Sequence, residues 1–327
     1  MSRPLLVAYR ALGLGDFLTG VPALRALAGA FPGHRRALAA PAAIAPLAAL
    51  GPAVDAVVDV AALAPLPSEL RGADVAVNLH GRGPESHRVL LAARPRRLIA
   101  FAADEWLAGD HGAGDHGAAP EWRAGEHEVA RWCRLLTESG IAADPRALDL
   151  SPPAAPAPPA ARGATVLHPG AASGARRWPE DRWAAVARAE WAAGRAVLLT
   201  GGLDERPAAG RIAAAAGLGP EAVLAGRTDL IGLAAVVVAA GRVACGDTGV
   251  AHLATAFGIP SVVLFGPTAP AEWGPPPDRP HHRALWAGRR GDPHASEPDP
   301  GLLEISAEQV VTALGVLPGA PPRRLAA

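Results

Sequence analysis

The sequence contains no lysine and only two cysteines. Its 31 basic residues, all arginine, are matched by 31 acidic residues, so the formal net charge at pH 7 is zero. A neutral chain has no global field that favours nucleic acid or an anionic membrane, and we expect no nucleic-acid partner. Cys133 and Cys245 lie far apart and fit neither a disulfide framework nor a zinc pattern, which predicts a reducing, cytoplasmic compartment.

Long hydrophobic runs are also missing. The longest run, residues 230–240, has about half the length that a membrane-spanning helix needs, so we interpret it as a buried helix. The apolar run near the N-terminus is too short for a signal peptide. Of the 327 residues, 50% are hydrophobic and 19% are charged, which predicts two domains, each with a sizeable core.

Short β-like runs alternate with helix-like segments along the chain. The predicted strands are residues 5–10, 36–40, 56–60, 74–79, 97–101, 164–169, 196–201, 222–226, 242–245 and 260–266. The predicted helices are residues 17–31, 85–93, 179–194, 204–217 and 229–241. This alternation predicts an α/β protein with doubly wound parallel sheets that carry helices on both faces.

A proline-rich stretch, "SPPAAPAPPAARG" at residues 151–163, separates two such alternating regions. Its prolines exclude a helix interior or a central strand, so we predict an extended linker between domains at residues 1–150 and 164–327. Doubly wound sheets bind ligands beyond the carboxyl ends of their strands. Two facing sheets of this kind would form a cleft with one part of the ligands on each wall.

The stretch "CGDTGVAHLATAF" lies between a predicted strand and a helix of the second domain. We expect Asp247 or Thr248 at the N-cap, where free N–H groups and the positive end of the helix dipole favour an anion. Gly246 and Gly249 allow the backbone to approach a ligand closely. The alternatives are structural: Asp is a good N-cap in any helix, and a lone histidine such as His252 is more often structural than a ligand.

A second loop of the same domain is suited to an anion. The stretch "LHPGAASGARRWPEDRW" at residues 167–183 is small and glycine-rich, and then places Arg176 and Arg177 where a phosphate would lie. We expect Trp178 and Trp183 to pack this loop against the domain. An ordinary loop with solvated arginines is the alternative, but two anion-suited loops in one domain favour a phosphate-bearing ligand.

In the first domain, the stretch "YRALGLGDFLTGVPALRAL" begins at the end of the first predicted strand. Gly13 and Gly15 suggest a dinucleotide-binding turn, but the third glycine of that motif is missing, and no acidic residue closes the second strand. A nicotinamide-dependent dehydrogenase is therefore disfavoured. An acid such as Asp16 at the edge of a cleft suits a general base instead.

The segment "GDHGAGDHG" at residues 109–117 contains two histidines and two aspartates. Their spacing fits no standard set of metal ligands. We therefore predict a mobile surface loop here rather than a metal site.

Five stretches, in this order, resemble glycosyltransferase family 9, the family of the ADP-heptose:lipopolysaccharide heptosyltransferases. They are "ALGLGDFLTGVPALRAL", "LHPGAASGARRWPEDRW", "VLLTGGLDER", "AGRTDLIGLA" and "GDTGVAHLATAFGIPSVVLFGPTAPAEWGP". The Asp-Thr-Gly-x-x-His block with its trailing Phe-Gly-Pro-Thr is the most specific of them. The resemblance implies the GT-B fold, with two Rossmann-like domains facing across a cleft, and an inverting glycosyltransferase that needs no metal.

The resemblance also implies roles for individual residues. Asp16 matches the base that takes the proton of the acceptor hydroxyl, and Arg176 stands where the family usually has a lysine on the donor diphosphate. The implied donor-binding residues are Ser173, Arg176, Thr228, Asp247, Thr248, Gly249 and His252. The loop that contains Asn78, His80 and Arg82 either lines the acceptor side or forms a structural strand-end turn, and both interpretations stay open.

We therefore expect transfer of a sugar, with heptose implied, from a nucleotide-diphosphate donor to a glycan or glycolipid. The donor is a substrate, an ADP-sugar by resemblance, and no cofactor or metal is expected. We expect a cytoplasmic protein, at the inner face of the membrane if it contacts a lipid-linked acceptor peripherally. Two alternatives remain. A nucleotide-sugar epimerase on the same fold would turn over the donor without an acceptor, and a catalytically silent nucleotide-binding scaffold would show no transfer.

Overall fold

The computed structural model describes residues 3–51, 53–103 and 119–318. The chain divides into two compact units, Met1–Leu148 and Asp149–Ala327. The histidine-containing segment at residues 109–117 lies outside the described residues, so its prediction stays untested. Within the described ranges, we find no helix that is both long and apolar enough to cross a membrane.

The first unit is built around one parallel sheet. Its described strands are β1 (Leu5–Tyr9), β2 (Arg35–Ala40), β3 (Ala56–Asp59), β4 (Val75–Asn78) and β5 (Arg97–Ile99), in the order β3-β2-β1-β4-β5. Its described α-helices are α1 (Leu14–Ala30), α2 (Ala45–Ala48), α3 (Glu85–Ala92) and α4 (Glu128–Glu138). All neighbouring strands pair in parallel. The central strand β1 is almost entirely buried, as expected of a parallel sheet covered on both faces.

The second unit repeats this plan. Its described strands are β6 (Thr165–His168), β7 (Val197–Leu199), β8 (Arg242–Gly246), β9 (Ser261–Phe265) and β10 (His282–Trp286), in the order β10-β9-β8-β6-β7. Its described α-helices are α5 (Glu180–Ala192), α6 (Arg206–Ala215), α7 (Leu230–Ala239), α8 (Gly249–Phe257), α9 (Pro270–Trp273), α10 (Pro300–Leu303) and α11 (Ala307–Gly315). Every strand pair is parallel here as well. The predicted α/β class with doubly wound parallel sheets is confirmed in both units.

The hydrophobic core of the second unit includes the loop that follows β6. Trp178 and Trp183 are buried and meet edge to face, with ring centroids 5.0 Å apart. The indole N–H of Trp178 donates to the carbonyl of Ile305 at 3.0 Å, so its polar group is satisfied inside the core. The prediction that these two tryptophans pack the loop is confirmed. The apolar run at residues 230–240 forms α7, whose residues 234–237 are buried, as predicted.

One predicted strand is wrong, and several elements were not predicted. Residues 222–226 form no strand, because a 3-10 turn at Pro220–Ala222 precedes a single bridge between Val223 and Leu199. Strand β10 was not predicted, because it lies at the edge of the sheet and exposes Arg283 and Ala284, which interrupt the apolar run. Helix α4 was not predicted, because glutamates and arginines interrupt its apolar residues. In the predicted linker, residues 159–161 form a 3-10 turn.

In each sheet, the strand order reverses at one place. In the first unit this switch point lies between β1 and β4, and in the second unit it lies between β6 and β8. Chain segments that leave adjacent strands in opposite directions open a crevice at the carboxyl edge of the sheet, where α/β folds bind ligands. We therefore expect the predicted site residues to lie at these two switch points.

Candidate functional site

In the first unit, Asp16 lies in the first turn of α1, directly beyond the carboxyl end of β1. Its side chain is 28% exposed, and its Oδ1 lies 3.6 Å from Nη2 of Arg10. Burial is the main cause of a raised pKa of Asp16, and the negative charge of Glu128 adds to the rise. The positive charge of Arg10 opposes both. A carboxylate with a raised pKa at a crevice has the properties of a general base.

Arg10 lies beneath Asp16 and is only 2% exposed. Its guanidinium donates to the backbone carbonyls of Asp16 and Leu79, to the Thr19 hydroxyl at 3.0 Å and to Oε1 of Glu128 at 2.9 Å. The sequence analysis missed Arg10 and Glu128. The available signal was an arginine at the end of an otherwise apolar strand, since a buried arginine requires an acidic partner.

Glu128 begins helix α4 and is itself buried. Its Oε1 accepts from the indole N–H of Trp132 at 2.8 Å as well as from Arg10, and its Oε2 pairs with Arg131. Although burial opposes ionisation, the two arginines and the indole N–H lower the pKa of Glu128. The carboxyl group of Glu128 therefore remains ionised at neutral pH.

The loop after β4 stands on the other side of this switch point. Asn78 is fully buried, and its amide donates to Ser86 Oγ at 2.9 Å and to the Gly81 carbonyl at 3.2 Å, while its Oδ1 accepts from the His80 N–H. These bonds hold the turn itself, which favours the structural interpretation of Asn78. His80 stacks on Tyr9, with ring centroids 4.6 Å apart, and Arg82 is exposed. Acceptor-side roles for these residues stay predictions.

In the second unit, the Gly-Asp-Thr-Gly turn follows β8 and opens helix α8. Thr248 is the N-cap, and Gly249 is the first helical residue. The side chain of Thr248 makes no capping bond. The N–H of Ala251 donates to the Thr248 carbonyl at 3.0 Å, so the N–H groups of Gly249 and Val250, the first two of the helix, are the ones that suit another acceptor. Asp247 is only 7% exposed, and burial raises its pKa to about 6 against the opposing charge of Arg176.

The loop after β6 meets this turn through one arginine. Arg176 Nη1 donates to the backbone carbonyl of Asp247 at 3.1 Å, and its Nε donates to Ser173 Oγ at 3.3 Å. Ser173 in turn donates to the Pro293 carbonyl at 2.6 Å. A cation is thus fixed beside a helix N-terminus at the carboxyl edge of the sheet. This pairing of a cation and free backbone N–H groups suits a diphosphate.

Two further predicted donor-binding residues, His252 and Thr228, come after chain segments that end at the same edge of the sheet. His252 is half-buried one turn into α8, and its ring centroid lies 5.9 Å from that of Trp273. Thr228 directly precedes Asp229, which caps helix α7. Because Val223 pairs in parallel with Leu199, the chain reaches Thr228 at the carboxyl edge of the sheet. The structure thus joins Ser173 and Asp247 through Arg176. Thr228 precedes the N-cap of α7, and His252 lies on α8, which starts at the same edge.

Among the described residues, no three or more histidines, cysteines, aspartates or glutamates are grouped so that they could hold a metal ion.

Comparison with known proteins gives three kinds of similarity. Residues 118–299 match the sequence model of glycosyltransferase family 9 (heptosyltransferase). Lipopolysaccharide heptosyltransferase 1 of Pseudomonas aeruginosa is 42% identical over 100 residues, which are 30% of this chain and 27% of that protein. The aligned regions span less than half the length of the curated relatives.

The folds of solved proteins match almost the whole chain. A family 9 glycosyltransferase from Veillonella parvula has a TM-score of 0.75 at 18% identity and covers 97% of both chains. The E. coli heptosyltransferase WaaC, solved with ADP, has a TM-score of 0.67 at 20% identity and covers 95% of this chain and 98% of its own. At these identities the likeness shows the fold, which is the GT-B fold of two Rossmann-like domains. Because the family model spans more than half of the chain, this protein belongs to glycosyltransferase family 9.

Proposed function

We propose that this protein is an inverting glycosyltransferase that moves a sugar from a nucleotide-diphosphate donor to a glycan or glycolipid hydroxyl. The observation that carries the proposal is the contact between Arg176 and the Asp247 carbonyl, which fixes a cation beside the N-terminus of α8. A diphosphate leaving group needs such compensation of its charge. The base that the reaction also needs is supplied by Asp16, at the switch point of the other unit.

The reaction is one in-line displacement. The acceptor oxygen forms a bond to the anomeric carbon while the bond from that carbon to the diphosphate oxygen breaks. Asp16 takes the proton of the acceptor hydroxyl, and the electron pair of the broken bond stays with the nucleoside diphosphate. Arg176 and the N–H groups at the start of α8 stabilise the charge that develops there. Charge compensation by these groups makes a metal ion unnecessary, so we propose a metal-independent reaction.

The names of the relatives support a proposal for the donor. The E. coli WaaC structure contains ADP, and the curated relatives are named as heptosyltransferases. We therefore propose an ADP-sugar, with heptose as the sugar, as the donor. The cytoplasmic location and a peripheral contact with a membrane-bound acceptor remain predictions.

Calorimetric titration with ADP, UDP, GDP and dTDP, each with and without EDTA, tests the donor site. We expect ADP to bind most tightly and EDTA to leave its affinity unchanged, because Arg176 and the α8 N-terminus bind the diphosphate. Loss of ADP binding in EDTA would contradict the metal-independent site. An assay with the ADP-sugar then separates the alternatives: turnover without an acceptor indicates an epimerase, and binding without any turnover indicates a scaffold.

Replacing Arg176 with Ala should weaken ADP binding by about 1.5–3 kcal/mol, because a charge-assisted contact is lost. This corresponds to an affinity loss of about 10- to 150-fold in the same titration. Arg211 is the matched control. It is an exposed arginine of the same unit that pairs with Glu180 at 2.7 Å, so Arg211→Ala should leave the affinity unchanged. An unchanged affinity in Arg176→Ala would remove Arg176 from the donor site.

A further inference from the structure

A buried charge pair lies under the first turn of α1. Arg10 and Glu128 are both nearly inaccessible, and they are joined by a hydrogen bond of 2.9 Å from Nη2 to Oε1. Burying two charges costs about as much free energy as their attraction returns, so a pair of this kind is a weak source of stability. Its position under the carboxylate of Asp16 points to another role.

The contacts of Arg10 converge on the turn that carries Asp16. Its Nε donates to the backbone carbonyl of Asp16, and the Thr19 hydroxyl that it contacts lies 3.0 Å from the same carbonyl. Gly20 leaves room for this arrangement, because a Cβ at that position would lie 3.0 Å from Cδ of Arg10. Glycine in a helix interior is otherwise unfavourable relative to alanine, so the space for Arg10 explains its presence.

Arg10 stands between two carboxylates and contacts them unequally. Its Nη2 lies 2.9 Å from Glu128 but 3.6 Å from Asp16. A tight ion pair with Arg10 would make Asp16 a poor proton acceptor, because an opposite charge at contact distance favours the ionised form. The geometry instead gives the close contact to Glu128 and leaves Asp16 with the longer one.

We propose that Arg10 and Glu128 are positioning residues for Asp16. Arg10 fixes the backbone turn that directs the carboxylate, and Glu128 holds the guanidinium back so that the carboxylate can accept a proton. This inference rests on the proposed function for its kinetic consequence only.

Two charged side chains act on Asp16: Arg10, which follows β1, and Glu128, which begins α4. The backbone at Gly13, the N-cap of α1, adds a hydrogen bond. Arg131 pairs with Glu128, and His80, which follows β4, is affected by the charge of Arg10. Burial and the charge of Arg10 lower the pKa of His80 to about 4, so His80 is neutral near pH 7. Removal of the Glu128 charge therefore leaves Asp16 beside the positive charge of Arg10 without a compensating negative charge.

The first test is Glu128→Gln. The acidic limb of the kcat/KM profile should move down by about 1 pH unit, because the pKa of Asp16 falls when a nearby negative charge is removed. The value of kcat should fall by at most about 10-fold, since a base weaker by about one pKa unit accepts the proton less readily, with the KM for the donor unchanged. Arg10→Gln should move the same limb upwards, and this opposite sign carries the test if Glu128→Gln does not fold.

Glu190→Gln is the matched control. Glu190 is fully buried in the second unit, where it binds Arg195 at 2.7 Å through both oxygens and accepts from Thr165 at 2.5 Å. Its replacement should lower Tm as Glu128→Gln does, without moving the pH profile. Glu128→Asp, which retains the charge, should restore part of the wild-type profile.

A titration of the Asp16 carboxyl carbon by NMR separates this inference from the proposed function. We expect the pKa of Asp16 to fall in Glu128→Gln with no substrate present. If transfer activity is absent in the wild-type protein but this pKa falls, the proposed function fails and the positioning inference stands. If the pKa and the pH profile stay at their wild-type values while Tm drops as in Glu190→Gln, Glu128 is only structural and the inference is overturned.

Discussion

Asp16→Asn should lower the rate of sugar transfer by about 10²- to 10⁴-fold, the range that a positioned general base contributes. The amide has the shape of the carboxylate but cannot take the proton of the acceptor hydroxyl. Because Asp16 lies in the first unit and the residues of the proposed donor site in the second, ADP affinity should not change. Steady-state transfer kinetics and calorimetry on the same preparation measure both quantities.

The pH dependence of kcat/KM is a second test of the role of Asp16. Burial raises the pKa of Asp16 above its ordinary value, so the wild-type kcat/KM should rise with pH through that raised pKa as the carboxylate ionises. Asp74→Asn is the matched control, since Asp74 belongs to the same unit, precedes β4 at the opposite edge of the sheet and pairs with His34 at 2.8 Å. If Asp16→Asn lost as much ADP affinity as transfer rate, the assignment of Asp16 as the base would be refuted.

The sequence predicted the places of the candidate residues in the fold better than it predicted their contacts. Parallel strands put the residues that follow them at one edge of the sheet, so the sequence alone placed Asp16 and the two loops with Arg176 and Asp247 at the carboxyl edges. The distances among them depend on side chains far apart in the chain. Glu128, for example, contacts Arg10 across 118 residues, and no local pattern encodes that contact.

The missed elements have the same physical explanation. Strand β10 is half-exposed, and helix α4 alternates charges with apolar residues, so neither gives the continuous hydrophobic signal of the central strands. Residues 222–226 were predicted as a strand from their apolar character, and residues 222–225 are buried. The preceding 3-10 turn allows only one bridge to β7, so burial was predicted correctly and strand pairing was not.

The chain contains no lysine, and at position 10 the structure explains why the basic residue is arginine. Four different acceptors surround its guanidinium: two backbone carbonyls, a hydroxyl and a carboxylate. The planar fork of arginine offers five donors, whereas a lysine ammonium offers three on one atom and could not reach all four. Whatever sets the composition of the chain, the geometry at this position requires arginine.

Asp247→Asn should stabilise the protein at neutral pH while impairing transfer. Burial raises the pKa of Asp247 to about 6, above the ordinary value of 3.8. The folded state therefore binds this proton more tightly than the unfolded state, so stability falls as pH rises from 4 to above 6. Ionisation of the buried carboxylate at pH 8 then costs about 3 kcal/mol, which an asparagine of the same shape avoids.

Urea unfolding between pH 4 and pH 8 measures this effect as the difference between Asp247→Asn and the wild-type protein. This difference in the free energy of unfolding should grow as the pH rises to about 6 and then level off. Asp55→Asn is the control with the opposite sign: Arg36 lowers the pKa of Asp55 to about 2, so its difference from the wild type should be flat across this range. A gain in stability with a loss of transfer would show that the chain retains a buried charge for function, as strained active sites do. A loss of stability at pH 8 would instead make Asp247 a structural residue of the turn that opens α8.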